Sequence, residues 1–243
     1  MMVCSAFEKK YLFVKVFLRI QLLFAMTFYL SGCMAVRPPQ ELIYSSGAAV
    51  ESLSSNISLA YAAHGRSISG SGYLMYLKPD KMRVVILSPF GSVLQEIYVS
   101  GELVTIVDAG NGVAFSGNFM DLPDKGDFSG WRYIHWLIDI DQPDPSRGNV
   151  VIDRINRFGQ PEKATFENGL LISKSTEAAG LVRYGGYAAV QGGAFPLEIV
   201  YEAATQEKFT LLLEEPETNV PLTDTAFTPN LVKLRIYPLS RLK

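Results

Sequence analysis

At 243 residues, with 19% charged side chains and a formal net charge of −2, the chain carries no basic excess that would favour nucleic acid. Its two cysteines, Cys4 and Cys33, both lie near the N-terminus and leave the remainder without a disulfide framework or a cysteine metal site. Twenty glycines, 13 prolines and 12% aromatic residues, without long helical heptads, lean towards antiparallel β structure.

The first element is a leader. Lys9, Lys10, Lys15 and Arg19 surround the start of an apolar stretch over 12–30, and small residues mark its exit. Its longest charge-free run, Ile20 to Leu30, is 11 residues, short of the roughly 20 that a transmembrane helix needs. This is the plan of a cleaved signal peptide over residues 1–32. Leu30-Ser31-Gly32-Cys33 resembles the bacterial lipobox, in which the thiol receives a diacylglycerol and cleavage falls just before the cysteine; an uncleaved anchor or an ordinary signal peptide are the alternatives. The resemblance implies lipidation at Cys33, with a diacylglycerol and an N-acyl chain as covalent groups and no other cofactor. It also implies a sorting rule in which Asp after the cysteine retains a lipoprotein in the inner membrane. Met34 stands there, which points to the periplasmic face of the outer membrane of a Gram-negative bacterium. Removing residues 1–32 from the 243 leaves 211 residues, and removing four basic and one acidic residue leaves a net charge of about −5. That length suffices for one domain with a sizeable core.

Residues 33–40, with Pro38-Pro39, read as a lipidated tether, since consecutive prolines favour an extended chain; residues 41–243 follow as a single domain. From Gly47 to Ala63, Val50, Leu53, Ile57 and Tyr61 fall at i, i+3, i+7 and i+11, which predicts an amphipathic helix stopped by Gly65. The period then changes to two. Tyr73 to Leu77, the turn Lys78-Pro79-Asp80-Lys81 and Met82 to Leu87 predict a hairpin. After the break Ser88-Pro89-Phe90-Gly91-Ser92 come strands over Leu94 to Val99 and Leu103 to Val107. Gly70 and Gly72 predict a bulge or a sharply curved strand rather than a dinucleotide loop. Between 113 and 145 the sheet pattern lapses, and Phe128, Trp131, Ile134, His135 and Ile138 predict a second amphipathic helix over Phe128 to Ile138. Strands resume at Val150 to Asn156, Lys163 to Glu167, Leu170 to Ser173, Val182 to Tyr187, Leu197 to Glu202 and Lys208 to Leu213, and the tail from Thr223 reads as partly irregular. Ten or eleven strands in one curved sheet must close or be covered on their concave face, and the two helices are the available cover.

Catalytic patterns are absent. There is no GxSxG elbow, GxxxxGK[ST] loop or HExxH helix, so no enzymatic activity is expected. His64 and His135 lack partners at catalytic spacing and read as structural. Asp139, Asp141 and Asp144 offer oxygen ligands of the kind Ca²⁺ takes, but without an EF-hand pattern they read as a solvated turn. Gly185-Gly186 and Gly192-Gly193 read as hairpin turns rather than a phosphate cradle.

From Gly72 to Val107 the chain resembles the LolA/LolB-like lipoprotein carriers, nearest the membrane-anchored LolB branch: strand, turn, a strand ending in Leu87-Ser88-Pro89-Phe90-Gly91-Ser92, then Leu94 to Val99. Pro89-Phe90-Gly91 is similar to that branch's Asn/Gly-Pro-Leu-Gly-like turn, with Phe in place of Leu. Trp131 to Leu137 resembles the family's central Trp-containing helix. Asn219-Val220-Pro221-Leu222 with Phe227-Thr228-Pro229 is similar to its closing segment, whereas Asp139 to Gly148 and Leu231 to Lys243 match no family motif. The resemblance implies an incomplete antiparallel β-barrel of about eleven strands with an α-helical lid, whose apolar hollow takes acyl chains. It implies a monomer that accepts lipoproteins from a LolA-like periplasmic carrier and inserts them into the inner leaflet of the outer membrane, with Pro89, Phe90 and Gly91 as the membrane-insertion loop. Related lipid-binding lipoproteins with a glycolipid or free-lipid cargo, and structural or assembly lipoproteins, are the alternatives. Both faces of the first hairpin strand are apolar, Tyr73, Met75 and Leu77 against Leu74 and Tyr76, so alternation alone leaves open which lines the cavity. The first set, closed by Trp131 and Ile134, is the expected cavity and lid.

Overall fold

The computed structural model describes residues 42–44, 49–63, 66–122, 129–203 and 207–242. The leader, Cys33, the tether, His64, Gly65 and Phe128 lie outside them. Among the described residues the strands are β1 (Ser52–Ala63), β2 (Arg66–Leu77), β3 (Lys81–Leu87), β4 (Val93–Ser100), β5 (Leu103–Asp108), β6 (Val113–Asn118), β7 (Val150–Ile155), β8 (Pro161–Glu167), β9 (Leu170–Thr176), β10 (Gly180–Gly185), β11 (Ala188–Val190), β12 (Gly193–Phe195), β13 (Glu198–Ala203), β14 (Lys208–Thr218) and β15 (Arg235–Pro238). Thirteen form one open sheet in the order β15-β6-β5-β4-β3-β2-β1-β14-β13-β10-β9-β8-β7, and β11 and β12 make a separate hairpin. All neighbours are antiparallel except β15 and β6. The sheet is thus two meanders joined where β1 pairs with β14. The expected mainly β, incompletely closed architecture holds, with more strands than the eleven anticipated.

The segment predicted as the first helix is β1. Leu53, Ile57 and Tyr61 are spaced by four, an even number, so they share one face of a strand as well as one stripe of a helix. Pairing decides between the two: β1 runs beside β2 from Ser52↔Leu77 to Ala63↔Arg66 and beside β14 on its other side. A ladder on both sides satisfies the backbone and buries Leu53 and Ile57 at 2% exposure. The lapse anticipated after residue 113 begins instead with β6, which keeps Ala114 fully buried. Its sequence, Val113-Ala114-Phe115 followed by Ser116-Gly117-Asn118, has three apolar residues in a row and then three polar or small ones, so no alternation was visible.

Between β6 and β7 the chain travels from one flank of the sheet to the opposite edge, and among the described residues Leu122 and 131–138 lie over the inner face. A 3₁₀ turn, Ser129–Tyr133, leads into α1 (Ile134–Ile138); the expected three-turn helix is this shorter pair. Leu122, Trp131, Ile134, Trp136, Leu137 and Ile138 join the inward residues of both meanders in one cluster. No helix among the described residues is long and apolar enough to cross a membrane. The tail covers part of the outer face: Leu231 and Leu234 pack on Tyr98, Val107 and Ala114. It then adds β15 beside β6 and returns Leu239 to the main core with 0% exposure.

At Gly72 the backbone of β3 comes too close for any side chain. A Cβ there would lie 1.8 Å from the Val85 carbonyl oxygen, whereas one on Gly70 would meet Ile86 Cγ2 at an ordinary 3.6 Å. The β2–β3 register runs through Gly72↔Ile86 without a shift, so the expected bulge is not found in this pair, and the glycine serves the close approach of β3. Gly72→Ala is therefore expected to lower stability by about 1–3 kcal/mol through overpacking, with Gly70→Ala nearly neutral. Thermal melts of the two variants check this, and equal melting points would refute it.

Candidate functional site

The turn between β3 and β4 is built from its two serines. Ser88 N donates to Ser92 O (2.8 Å), Gly91 N donates to Ser88 O (2.9 Å), and Ser88 Oγ accepts from the amides of Phe90 (3.2 Å) and Ser92 (3.1 Å). Gly91 completes it at φ +79°, where a side chain is disfavoured. The backbone is thereby satisfied within the loop, and Phe90 has no inward path: its side chain is 98% exposed. Val93 and Leu94, just after the turn, are 41% and 51% exposed. A hydrogen-bonded turn holding an aromatic ring in water, with aliphatic neighbours also exposed, is an arrangement whose apolar surface awaits a partner.

The expected cavity set is not assembled. Leu74 and Tyr76, at 1% exposure, face the cluster that holds Trp131 and Ile134, while Tyr73 is 47% exposed and Met75 and Leu77 share its side of the strand. Neighbouring strands set this phase. Register places Leu74 opposite Val84, and Tyr76 opposite Leu53 and Met82, all buried on the inner face, and a one-residue slip would turn the whole row outward. Tyr76 can face inward because its hydroxyl reaches Arg157 Nη2 (3.4 Å) and the Pro79 carbonyl (3.5 Å). Trp131 stands edge-on to Phe209, centroids 5.8 Å apart, and with Ile134 it packs into the inner-face cluster.

The acidic cluster is consumed by structure. Asp139 pairs with Arg157 (3.0 Å), Asp141 takes both Arg154 Nη atoms at 2.7 Å, and Asp144 caps a 3₁₀ turn by accepting from Ser146 N. Hydrogen bonds from Arg154 hold the Asp141 carboxyl below the usual carboxylate range against its burial. Among the described residues no group of three or more His, Cys, Asp or Glu side chains could hold a metal ion. Arg154 continues to Glu162 (Nε to Oε1, 2.8 Å), which is 3% exposed and also accepts from Trp136 Nε1. Next to it Lys174, 2% exposed, donates to the Asp139 carbonyl (2.7 Å) and lies over the Trp136 ring. Burial pushes this ammonium down to about 8, opposed by the charges of Asp139, Glu162 and Asp141. Sequence reading missed this network. Its signal was a charged residue in phase with core positions, Glu162 two before Ala164 and four before Phe166 on β8.

No protein-family model matches the sequence, and no curated relative does. The fold is nonetheless shared with solved proteins. A DUF1329 family protein from Desulfovibrio piger matches with a TM-score of 0.51 and 10% identity, over 74% of this chain and 91% of that one. A proposed outer membrane lipoprotein-sorting protein domain from Vibrio parahaemolyticus matches with a TM-score of 0.54 and 9% identity, over 77% of this chain and 94% of that one. A LolA superfamily protein from Nitrosomonas europaea is similar at a TM-score of 0.43 and 15% identity, over 80% and 93%; the likeness of fold rests on the other two.

His135 lies on α1 at 8% exposure, edge-on to Phe119, and neither ring nitrogen makes a well-aligned hydrogen bond among the described residues. Burial and the Arg157 charge lower its pKa to about 4, while Asp80 and Asp139 pull the other way. It is a structural residue held neutral. An unfolded imidazole titrates near 6.5, so between about 6.5 and about 4 the unfolded chain binds more protons. The stability His135 supplies above pH 6.5 is then lost as pH falls through that window, up to about 3 kcal/mol. His135→Leu is expected to flatten the pH dependence of the melting temperature between pH 6.5 and 4. Parallel curves for the two proteins would contradict it.

Proposed function

We propose that this chain is a lipid-binding outer-membrane lipoprotein of the LolA/LolB-like kind that acts in lipoprotein localisation, taking acylated proteins from a LolA-like periplasmic carrier and passing them into the inner leaflet. No bond is broken in that task, which agrees with a chain lacking catalytic patterns. The observation that carries the reading is the open antiparallel sheet shared with the Vibrio lipoprotein-sorting domain, on a chain whose apolar leader ends in Leu30-Ser31-Gly32-Cys33. The exposed Phe90 turn supports it from a second direction. Burying that ring is worth about 1.5–3 kcal/mol, too little to anchor a protein but enough to bias where a released acyl chain goes. The anchor itself falls to Cys33, because two or three acyl chains at about 0.8 kcal/mol per buried methylene hold a protein stably where one does not. The burial of Trp131 and Ile134 in the inner-face cluster, apart from Tyr73, Met75 and Leu77, favours a second reading, a lipoprotein of the same fold that carries another lipid or serves assembly.

Extraction of the full chain from membranes and mass spectrometry of what copurifies tests the proposal. Acylated protein or its lipid is expected, and an empty protein would overturn it. Cys33→Ala should yield an unprocessed or soluble periplasmic species, and a variant still cleaved at the same site and still membrane-bound would remove the lipobox reading. Phe90→Glu should leave the unfolding free energy within about 0.5 kcal/mol of wild type, as for an exposed substitution, while delivery of a labelled lipoprotein into vesicles falls. Unchanged delivery would exclude an insertion role for the turn.

A further inference from the structure

β3 ends before β2 does. Its last partner in β2 is Ser71, opposite Leu87, whereas β2 continues back to Arg66 alongside β1. Beyond Leu87 the chain turns away into the Phe90 loop, leaving a notch in the sheet of about 500 Å³. Small residues, Ala60, Gly70 and Ser71, make its floor, and Leu87, Leu94 and Leu212 make its walls. Pro89 lies on the rim, next to Phe90. Ser58, Ala60, Ser69, Ser71, Leu87, Thr210 and Leu212 occupy strand positions that alternate with Ile57, Gly72 and Leu211 of the inner row, while Leu59, Gly70 and Ile86, in phase with that row, also border the notch. The notch therefore opens mainly on the outer face, opposite the one covered by α1 and Trp131. No lining residue is charged, and Leu94 and Leu212 stay 51% and 41% exposed.

We propose that this outer-face notch is where the protein holds an acyl chain, a refinement that rests on the lipid-binding reading above. Its volume is in the range of small-ligand sites. A smooth floor of small side chains between aliphatic walls suits a thin, flexible chain that needs no polar partner, and the lack of charge leaves nothing to orient a headgroup inside. The headgroup stays at the rim, and the chain leaves past Phe90, so binding and delivery share one continuous apolar path.

The test uses the purified full chain in dodecyl maltoside with a palmitate carrying a diazirine in its chain; after irradiation the crosslinked peptides are mapped. Crosslinks are expected in 58–60, 69–71 and 210–212. They should fall at least tenfold in both Ala60→Phe, which fills the floor, and Leu212→Glu, which charges a wall, with melting curves confirming that each variant folds. Labelling of peptides around Trp131 and Ile134, unaffected by either variant, would overturn the notch while leaving lipid binding intact. Absence of any specific labelling would overturn both. Displacement by a diacylated cysteinyl peptide identifies a lipoprotein as the source of the chain, and displacement by phosphatidylethanolamine vesicles identifies a membrane lipid. Displacement by neither would count against an acyl site.

Discussion

The structure depends on how residues 129–149 are pinned to the inner face of the sheet. An open sheet with one apolar face cannot leave that face in water, and among the described residues its cover includes one short α-helix, too short to be stable alone. The C-terminal meander supplies the polar partners that hold it. Tyr184 Oη donates to the Leu137 carbonyl (2.8 Å), Lys174 Nζ to that of Asp139 (2.7 Å), Tyr133 Oη to that of Ala178 (3.0 Å), and Trp136 Nε1 to Glu162. Arg157, in the β7–β8 turn, also reaches the Pro79 carbonyl in the β2–β3 turn (2.7 Å), drawing the two meanders towards each other. The orphan carbonyls at the end of α1 are thus satisfied by side chains from the strands it covers.

Charges are what make this cover specific. Glu162 and Lys174 sit at nearly zero exposure, and each is tolerated only because others neutralise it. Removing Arg154 would leave Glu162 buried without its cation, a type of loss that costs about 3–5 kcal/mol. The same network absorbs Asp139 and Asp141, and Asp144 is spent as a cap. An acidic run that suggests a cation site in one dimension is, in three, the means of seating the crossing segment.

The outer face carries exposed apolar surface, with Phe90, Val93, Leu94 and Leu212 in water. The tail covers β4 to β6 through Leu231 and Leu234 but stops short of the notch between β2 and the Phe90 turn. That turn is self-contained, its donors and acceptors met by Ser88 and Ser92, so Phe90 can be presented without support from a partner. Rigid presentation and an adjacent uncharged hollow occur together because both follow from β3 ending early.

Local chemistry was legible in the sequence. The hairpin through Lys78-Pro79, the Pro89-Phe90-Gly91 tip, the mainly β class and the helical segment around Ile134 each depend on neighbours within a few residues. What only the tertiary structure decided is everything set by distant pairing. Leu53, Ile57 and Tyr61 satisfy a helical and a strand pattern alike, and β1 is a strand because β2 and β14 flank it. Tyr73 and Leu74 head equally apolar rows, and the register with β1 and β3 chooses which row is buried. Glu162 and Lys174 look misplaced on their strands until Arg154 and Trp136 arrive beside them. The division has one physical cause: turn and cap energies are local, whereas burial and strand pairing are cooperative sums over residues far apart in the chain, and where two local patterns are nearly degenerate those sums decide.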